Sequence, residues 1–379
     1  MKKIFFVLIL LIMLPCKFTY SIENTYDEKI YQEQYESSGA VKLFEELPDD
    51  TKKSFDDIGL DEADFNKIMD IDPKSVIKSV LKTAKKKLPG TLSSISVVLA
   101  IILLNAVFSV LKVSRGEKSI STVLGVVSTL CICVIIVFPI VDFIGRVATI
   151  IKGSTTFLLC YIPIMVGIMI AHGQTISSMA FSSVMVALGD AIMQLSSSFL
   201  VPILNIFLTM SIVCAISSRF KFSSLCELFS KIIKWVLGFV MTIFSGILTT
   251  KSLIGTTVDT VNSKAMKFVL SSFVPIVGSA LGDAFLTVQG CVKILKSGVG
   301  AFFIIAVGFI FLPAVIECLM WLISMNICAV VGDIFEIANV SILLKNIGKV
   351  VSTLLAIILC IMTILIISTV IVLNVGGGV

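Results

Sequence analysis

The chain has 379 residues, of which 57% are apolar, and its mean hydropathy is +1.06. Soluble domains are about 45–50% apolar, so this composition excludes an ordinary soluble protein and predicts several membrane-spanning helices. The net charge of +5 is uneven: residues 22–90 carry 16 acids and 11 bases (net −5), and the rest carries 9 acids and 19 bases (net +10). This split gives no support to a nucleic-acid-binding role and indicates an acidic extracytoplasmic segment followed by basic loops that orient helices.

The first 21 residues begin with two lysines after the initial methionine, followed by a short apolar core and then polar residues, a pattern typical of a secretory signal peptide. Cleavage after Ser21 fits this pattern, while an uncleaved anchor and lipidation at Cys16 are the alternatives. We therefore divide the chain into a signal peptide at 1–21, an acidic extracytoplasmic segment at 22–90 and a multi-spanning membrane domain at 91–379.

Within the acidic segment, residues 22–47 are polar without a sustained period, which predicts a flexible arm. Pro48 and the acids after it predict a short helix that Gly59 ends, and Asp61 is placed to start a second one. Asp72 as N-cap, with Pro73 at the first helical position, then predicts a longer helix.

This juxtamembrane helix is amphipathic, with apolar residues such as Val76 and Val80 on one face and lysines around the rest. It suits either the membrane interface or a docking position against the protein's own soluble part. Pro89 and Gly90 are expected to turn the chain into the bilayer.

Apolar runs of membrane length predict about eight crossings. The stretch 176–192 is ambiguous. It is short, rich in serine and contains Asp190, which is typical of a half-helix or a re-entrant segment. If 176–192 crosses the membrane, loop 217–234 lies on the cytoplasmic side, which its basic excess favours. We therefore count 176–192 as a crossing. The other predicted spans are 92–111, 120–141, 154–171, 194–216, 235–254, 268–290, 299–323 and 350–374, with Lys264, Lys267, Lys293, Lys296, Lys345 and Lys349 in the loops between the later ones.

The span 268–290 has the richest local pattern. Gly278 and Gly282 form a GxxxG step, which allows two helices to pack closely, and Asp283 lies beside it. The sequence Ala-Leu-Gly-Asp-Ala occurs both here and at 187–191, with a looser third copy at 330–334. A degenerate internal repeat with proline-broken helices is one interpretation, and chance recurrence of common membrane residues is the other. The prolines assigned to helix packing or hinges are Pro163, Pro202, Pro275 and Pro313.

Acidic residues inside apolar surroundings are the candidate functional residues, because a membrane carboxylate is costly unless it meets a partner or water. Glu317 lies well inside its run and is predicted to face the bundle or an oligomer interface rather than lipid. The stretch 325–345 is predicted to form one amphipathic helix. The residues assigned to an intramembrane polar path are Asp190, Asp283, Glu317, Asp333 and Glu336. The alternative for Asp190, Asp283 and Asp333 is that each follows a glycine near a helix end and is hydrated there.

Catalytic signatures are missing from the sequence. It has no P-loop, no GxSxG elbow and no HExxH motif, and the one histidine, His172, has no helical partner histidine. We therefore predict no enzymatic activity, no cofactor and no metal site.

The whole arrangement resembles the stage III sporulation protein AE family. The resemblance rests on the signal peptide, on LPDDTKKSFDDIGL at 47–60 and on FVPIVGSALGDAF at 273–285 within a multi-spanning region. It implies a mother-cell protein of the outer forespore membrane, in a channel or secretion-like complex needed for spore development. The implied partners are the other stage III A-operon membrane proteins and their ATPase, and indirectly stage II sporulation protein Q. No catalytic residues are implied.

Two functional classes remain open at this point. In the first, the protein is a permease-like pore or transport subunit, alone or as a homo-oligomer, whose carboxylates line a route through the membrane. In the second, it is an assembly platform whose acidic segment docks partners while its acids serve packing. An ion-coupled secondary transporter outside sporulation is a further alternative.

Overall fold

A computed structural model describes the backbone of residues 28–113, 118–216, 223–273 and 278–374, and the elements within these ranges are all helical. Four short helices precede a bundle of long ones. The short helices are α1 (Glu28–Ser37), α2 (Lys42–Glu45), α3 (Asp49–Asp56) and α4 (Phe65–Met69). The long elements are α5 (Pro73–Val113), α6 (Lys118–Ala171), α7 (Thr175–Gln194), a π-helical turn (Leu195–Leu200), α8 (Val201–Ile216), α9 (Ser223–Phe273), α10 (Gly278–Ile334) and α11 (Ala338–Asn374).

The predicted flexible arm is wrong for residues 28–47, because α1 is folded and packed. Tyr31 and Tyr35 are buried, and they stack on each other at 6.4 Å between ring centroids. The Tyr31 hydroxyl donates to Asp64 Oδ1 at 3.0 Å and accepts from the Phe65 N–H at 3.3 Å. Two aromatic residues four positions apart supply one apolar stripe, which the surrounding polar residues conceal in the sequence.

Three of the local start and stop signals after residue 47 are confirmed: Pro48, Gly59, and Asp72 with Pro73. α3 begins directly after Pro48, and Gly59 takes a positive φ of +74° beyond its end. Asp72 accepts a hydrogen bond from the Lys74 N–H at 3.0 Å, and Pro73 is the first residue of α5. The cap of α4 is Asp64, three residues later than the predicted Asp61.

The predicted turn at Pro89 and Gly90 is wrong, since α5 continues through both residues to Val113. A proline inside a helix removes one hydrogen bond, and in long apolar helices the freed carbonyl finds other partners. The juxtamembrane helix is therefore the first part of α5, and its Val76, Val80 and Ala84 pack against the protein's own core. These three residues therefore face the protein's core and not the membrane interface.

Several predicted spans merge into single helices. Residues 120–141 and 154–171 both belong to α6, because the charged stretch between them continues the helix. Residues 176–192 and 194–216 form one helical run through the π-turn, which precedes Pro202. Within the described part, six helices are long and apolar enough to cross a membrane, against about eight predicted: Pro73–Val107, Thr129–Ala171, Thr175–Cys214, Cys226–Asn262, Thr287–Ile334 and Ala338–Asn374.

The predicted amphipathic helix at 325–345 is also wrong as a single element. α10 ends at Ile334, a tight turn follows, and α11 begins at Ala338. The turn contains Glu336 with a positive φ of 55°, which closes the end of α10. Lys293, Lys296, Lys345 and Lys349, predicted in loops, lie inside α10 or α11.

The last three long helices, α9, α10 and α11, alternate in direction. α9 and α11 run parallel, since Ser230 meets Thr353 at 2.8 Å and the Leu237 carbonyl meets Cys360 Sγ at 3.8 Å. α10 and α11 form an antiparallel hairpin in which Gly332 lies beside Ser341. These two helices supply much of the buried apolar core. The first turns of α9 and α11 and the last turn of α10 consequently lie at one end of the bundle.

The four short helices, residues 28–69, form an N-terminal layer on the bundle. Phe55 is fully buried, and its ring meets Phe302 and Phe309 edge-on at 5.4 and 5.5 Å. The start of α4 lies so close to α10 that a Cβ on Gly298 would be 3.0 Å from the Phe65 nitrogen. Aromatic and backbone contacts thus join the layer firmly to α10.

Candidate functional site

The turn between α6 and α7 gathers the most deeply buried charged groups of the described chain. α6 ends with the N–H groups of His172, Gly173 and Gln174 bonded to carbonyls of its last turn, and Gly173 takes a φ of +79°. α7 begins immediately afterwards at Thr175, and no side chain of its own turn caps it. Its first N–H groups therefore need acceptors from elsewhere.

Asp259 of α9 supplies these acceptors. Its two carboxylate oxygens accept from the N–H groups of Ile176 at 3.0 Å and Ser177 at 2.8 Å, and the residue is 4% exposed. The N-terminus of α7 presents free N–H groups and the positive end of the helix dipole, so an acidic side chain is well placed there. An acidic residue that is distant in the sequence thus takes the place of a local N-cap.

The approach of α9 to this turn depends on Gly255, one turn before Asp259. A Cβ at residue 255 would lie 2.9 Å from the Ser177 Cα, so only glycine fits without a shift of the backbone. Gly255 therefore sets the distance between α7 and α9 at the point where Asp259 binds.

Lys296 of α10 reaches the same turn. Its ammonium group donates to Gln174 Oε1 at 2.9 Å, and the residue is 3% exposed. Gln289 approaches the His172 carbonyl at 3.5 Å from the same helix. Helices α6, α7, α9 and α10 thus meet around a turn cluster that we define as His172, Gln174, Asp259 and Lys296.

His172 is neutral in this cluster. Burial, followed by the positive charges of Lys296 and Lys293, lowers the pKa of His172 from its ordinary 6.5 to about 4. A neutral imidazole does not add a further charge beside the buried ammonium group of Lys296.

Glu317 lies at a second polar cluster, the Glu317 clamp. Its carboxylate pairs with Lys87 of α5 at 3.1 Å and with Arg146 of α6, which also pairs with Asp142. Glu317 is 8% exposed, so it faces the bundle, which is the orientation predicted from the sequence. Two bases and two acids cancel formally here, so the clamp joins three helices without leaving an unpaired buried carboxylate.

Asp333 and Glu336 lie at the turn between α10 and α11. Asp333 accepts from the Ser341 hydroxyl and pairs with Lys345 at 2.7 Å, which links the two helices across the turn. Glu336 is exposed within the turn itself. Both acids are therefore at a helix end.

The remaining predicted residues are dispersed along the helices. Asp190 is exposed near the end of α7. Asp283 belongs to the first turns of α10, as do Gly278 and Gly282, but the side-chain surroundings of residues 269–286 lie outside the described part, as does Pro275. The other predicted hinge residues, which lie inside α6, α8 and α10 respectively, are Pro163, Pro202 and Pro313.

The four predicted path acids whose side chains the structure describes therefore do not form one site. Glu317 is held in the clamp, Asp333 and Glu336 lie at one turn, and Asp190 is on α7. Among the described residues, no group of three or more histidine, cysteine or acidic side chains is arranged to hold a metal ion.

Sequence reasoning missed Asp259 and Lys296. Asp259 follows threonine and valine in an ordinary helical stretch, and Lys296 lies at a position predicted as a loop. Both are charges within long helical runs, and a search extended beyond the predicted spans would have found them.

These features define an all-helical, polytopic membrane protein, and the buried charges of the two clusters are paired or hydrogen-bonded. A family model described as stage III sporulation protein AE matches residues 62–376. The chain therefore belongs to the stage III sporulation protein AE family, as its resemblance predicted.

One relative is the stage III sporulation protein AE of Bacillus subtilis (strain 168), which is 26% identical over 220 residues. The alignment covers 57% of this chain and 53% of the relative, so the chain spans about half the length of that relative. No solved structure matches the chain.

Proposed function

We propose that the chain is a non-catalytic membrane subunit of the sporulation complex that links mother cell and forespore, and that it acts there as an assembly platform. Membership of the family supports a role in sporulation. The observation that carries the platform role is the N-terminal layer, which is folded and packed on the bundle through Phe55, Phe302 and Phe309. A partner that binds this layer is thereby held at a fixed position on the membrane domain.

The charge of the layer supports protein docking. Eleven acids of residues 28–70 are exposed, against three exposed bases, so the surface suits a partner with a basic face. The exposed acids are Glu28, Glu33, Glu36, Glu45, Glu46, Asp49, Asp50, Asp56, Asp57, Asp61 and Asp70.

The orientation of the bundle is consistent with this role. In the sequence, Arg219 and Lys221 precede α9, and a basic excess marks the cytoplasmic end. The first turns of α9 lie at the end of the bundle where α10 finishes. The N-terminal layer packs near Gly298, whereas α10 reaches the other end of the bundle at Ile334, 36 residues later. At 1.5 Å per residue this separation is about 54 Å, more than a bilayer core. The layer then faces the space between the mother-cell and forespore membranes.

The proposed partners are the other stage III A-operon membrane proteins with their ATPase, and indirectly stage II sporulation protein Q. The test is recovery of these membrane proteins with the affinity-tagged full chain from sporulating cells. Changing Asp49, Asp50 and Asp56 together to lysine is expected to reduce recovery at least tenfold. The matched control is Glu336→Lys, an exposed acid at the opposite end, which is expected to leave recovery unchanged. Equal recovery with both variants would contradict the platform role.

A permease-like transport role is the second candidate, and the turn cluster favours it. Asp259 and Lys296 are buried charges on neighbouring membrane helices, and such groups mark ion or proton routes in many transporters. On this account Asp259→Asn abolishes spore formation while protein level and partner recovery stay normal. Normal spore yield from Asp259→Asn would remove the support for transport.

A further inference from the structure

A cleft of about 760 Å³ opens between α9, α10 and α11, on the side of the bundle that holds the α10–α11 turn. Its polar wall combines ammonium, amide and hydroxyl groups, and its apolar wall is aliphatic. The polar lining is Lys234, Asn326, Lys345, Asn346, Lys349 and Ser352. The apolar lining includes Leu322, Ile342, Leu355 and Leu359.

The polar wall has more donors than acceptors. Lys345 is paired with Asp333 at 2.7 Å, and Lys234 donates to the Ser352 hydroxyl at 3.0 Å. Lys349 makes no salt bridge or side-chain hydrogen bond with the described residues, and the nearby Glu227 is paired with Lys231 at 3.1 Å. The cleft therefore carries a net positive charge.

Asn346 gives a second, independent indication of a ligand. It is 1% exposed and lines the cleft, and its Nδ2 donor has no hydrogen-bond partner among the described residues. A buried donor left without an acceptor costs about 1–3 kcal/mol. An anionic oxygen in the cleft would satisfy this amide and the Lys349 ammonium group together.

The position of the cleft specifies the source of that anion. Trp235, which follows Lys234 on α9, is 70% exposed and stacks on Phe239 at 5.5 Å. Exposed tryptophan beside lysine is typical of the headgroup level of a bilayer, and basic pockets between helices at the cytoplasmic end bind anionic headgroups. The aliphatic wall supplies a surface for acyl chains, which a soluble phosphate lacks.

We propose that this cleft binds an anionic phospholipid of the cytoplasmic leaflet. Lys349 and the Asn346 amide hold its phosphate, and the aliphatic wall of α11 packs against its acyl chains. The site is separate from the N-terminal layer and does not depend on the platform role.

Native mass spectrometry of the full-length chain in detergent tests the proposal, with phosphatidylglycerol as the ligand and phosphatidylcholine as the neutral control. The wild type is expected to bind phosphatidylglycerol at least tenfold more tightly than phosphatidylcholine. Lys349→Gln and, separately, Asn346→Leu are expected to weaken phosphatidylglycerol binding about tenfold. Lys264→Gln, at an exposed position of α9 far along the helix from Lys234, is the control and is expected to leave binding unchanged.

Three results would overturn the proposal. The first is equal affinity of the wild type for the two lipids, which requires no variant. The second is wild-type affinity in a folded Lys349→Gln variant. The third is displacement of phosphatidylglycerol by millimolar inorganic phosphate, which would assign the cleft to a soluble anion.

Discussion

Replacing Phe55 by alanine is expected to loosen the N-terminal layer from the bundle. The ring is fully buried between the layer and α10, and it makes edge-on contacts with Phe302 and Phe309. Removing a buried phenylalanine side chain costs about 3–5 kcal/mol, of which each aromatic pair contributes roughly 0.5–1.5. Since about 1.36 kcal/mol is a tenfold change, a loss of 3 kcal/mol raises the open population of the layer by roughly 150-fold.

Hydrogen exchange of the full-length protein, followed by mass spectrometry, measures this change. Peptides that cover 49–60 are expected to exchange roughly 100-fold faster or more in Phe55→Ala, because α3 opens with the layer. Peptides from the buried part of α11 are expected to keep their wild-type rates. Val41→Ala, at a position in the layer that is 44% exposed, is the matched control and is expected to change little. Exchange of residues 49–60 within threefold of wild type in Phe55→Ala would refute the reasoning.

Three further predictions concern the two polar clusters. Glu317→Leu is expected to lower the free energy of unfolding, measured by detergent titration, by about 1–3 kcal/mol. Breaking a fully buried ion pair costs more, but Lys87 and Arg146 are partly exposed and can be solvated by water after the change. A variant with wild-type stability would contradict the stabilising role of the Glu317 clamp. Gly255→Val is expected to lower the free energy of unfolding by at least about 1–3 kcal/mol, because the new side chain collides with Ser177. Gly246→Ala is the control, since a Cβ at residue 246 has no neighbour within 4 Å, and it is not expected to lower this free energy. Because the pKa of His172 is lower in the folded chain than its ordinary 6.5, its contribution to stability is present above pH 6.5 and is lost as the pH falls towards about 4. Thermal unfolding between these pH values is expected to show a smaller drop in His172→Asn, and an identical drop in both proteins would be the contrary result.

The sequence predicted several features that depend on neighbouring residues, although the start at Asp61 and the turn at Pro89 and Gly90 were wrong. Asp72 with Pro73, and Gly59 after α3, act through hydrogen bonds and φ values within a few residues, so their spacing was sufficient. The orientation of Glu317 also followed from its sequence, because a carboxylate deep in an apolar run requires partners.

The features that depend on distant contacts were not predictable in this way. Asp259 caps a helix that begins more than 80 residues earlier in the chain, so no local pattern reveals its role. The fold of α1 depends on Asp64 and Phe65, which lie more than 30 residues away from Tyr31. The division of α6 into two spans failed because the charged stretch between them continues the helix, and there Arg146 pairs with Glu317 of α10 and with Asp142.

The most direct test of the platform role is spore yield in a sporulating host whose own gene is replaced by this one. One strain carries Asp49, Asp50 and Asp56 changed to lysine, and another carries Asp190, Asp283 and Asp333 changed to asparagine, with protein levels matched by blot. The platform account predicts that yield collapses in the first strain and is preserved in the second. Preserved yield in the first and collapse in the second would contradict it and favour a carboxylate-lined transport route.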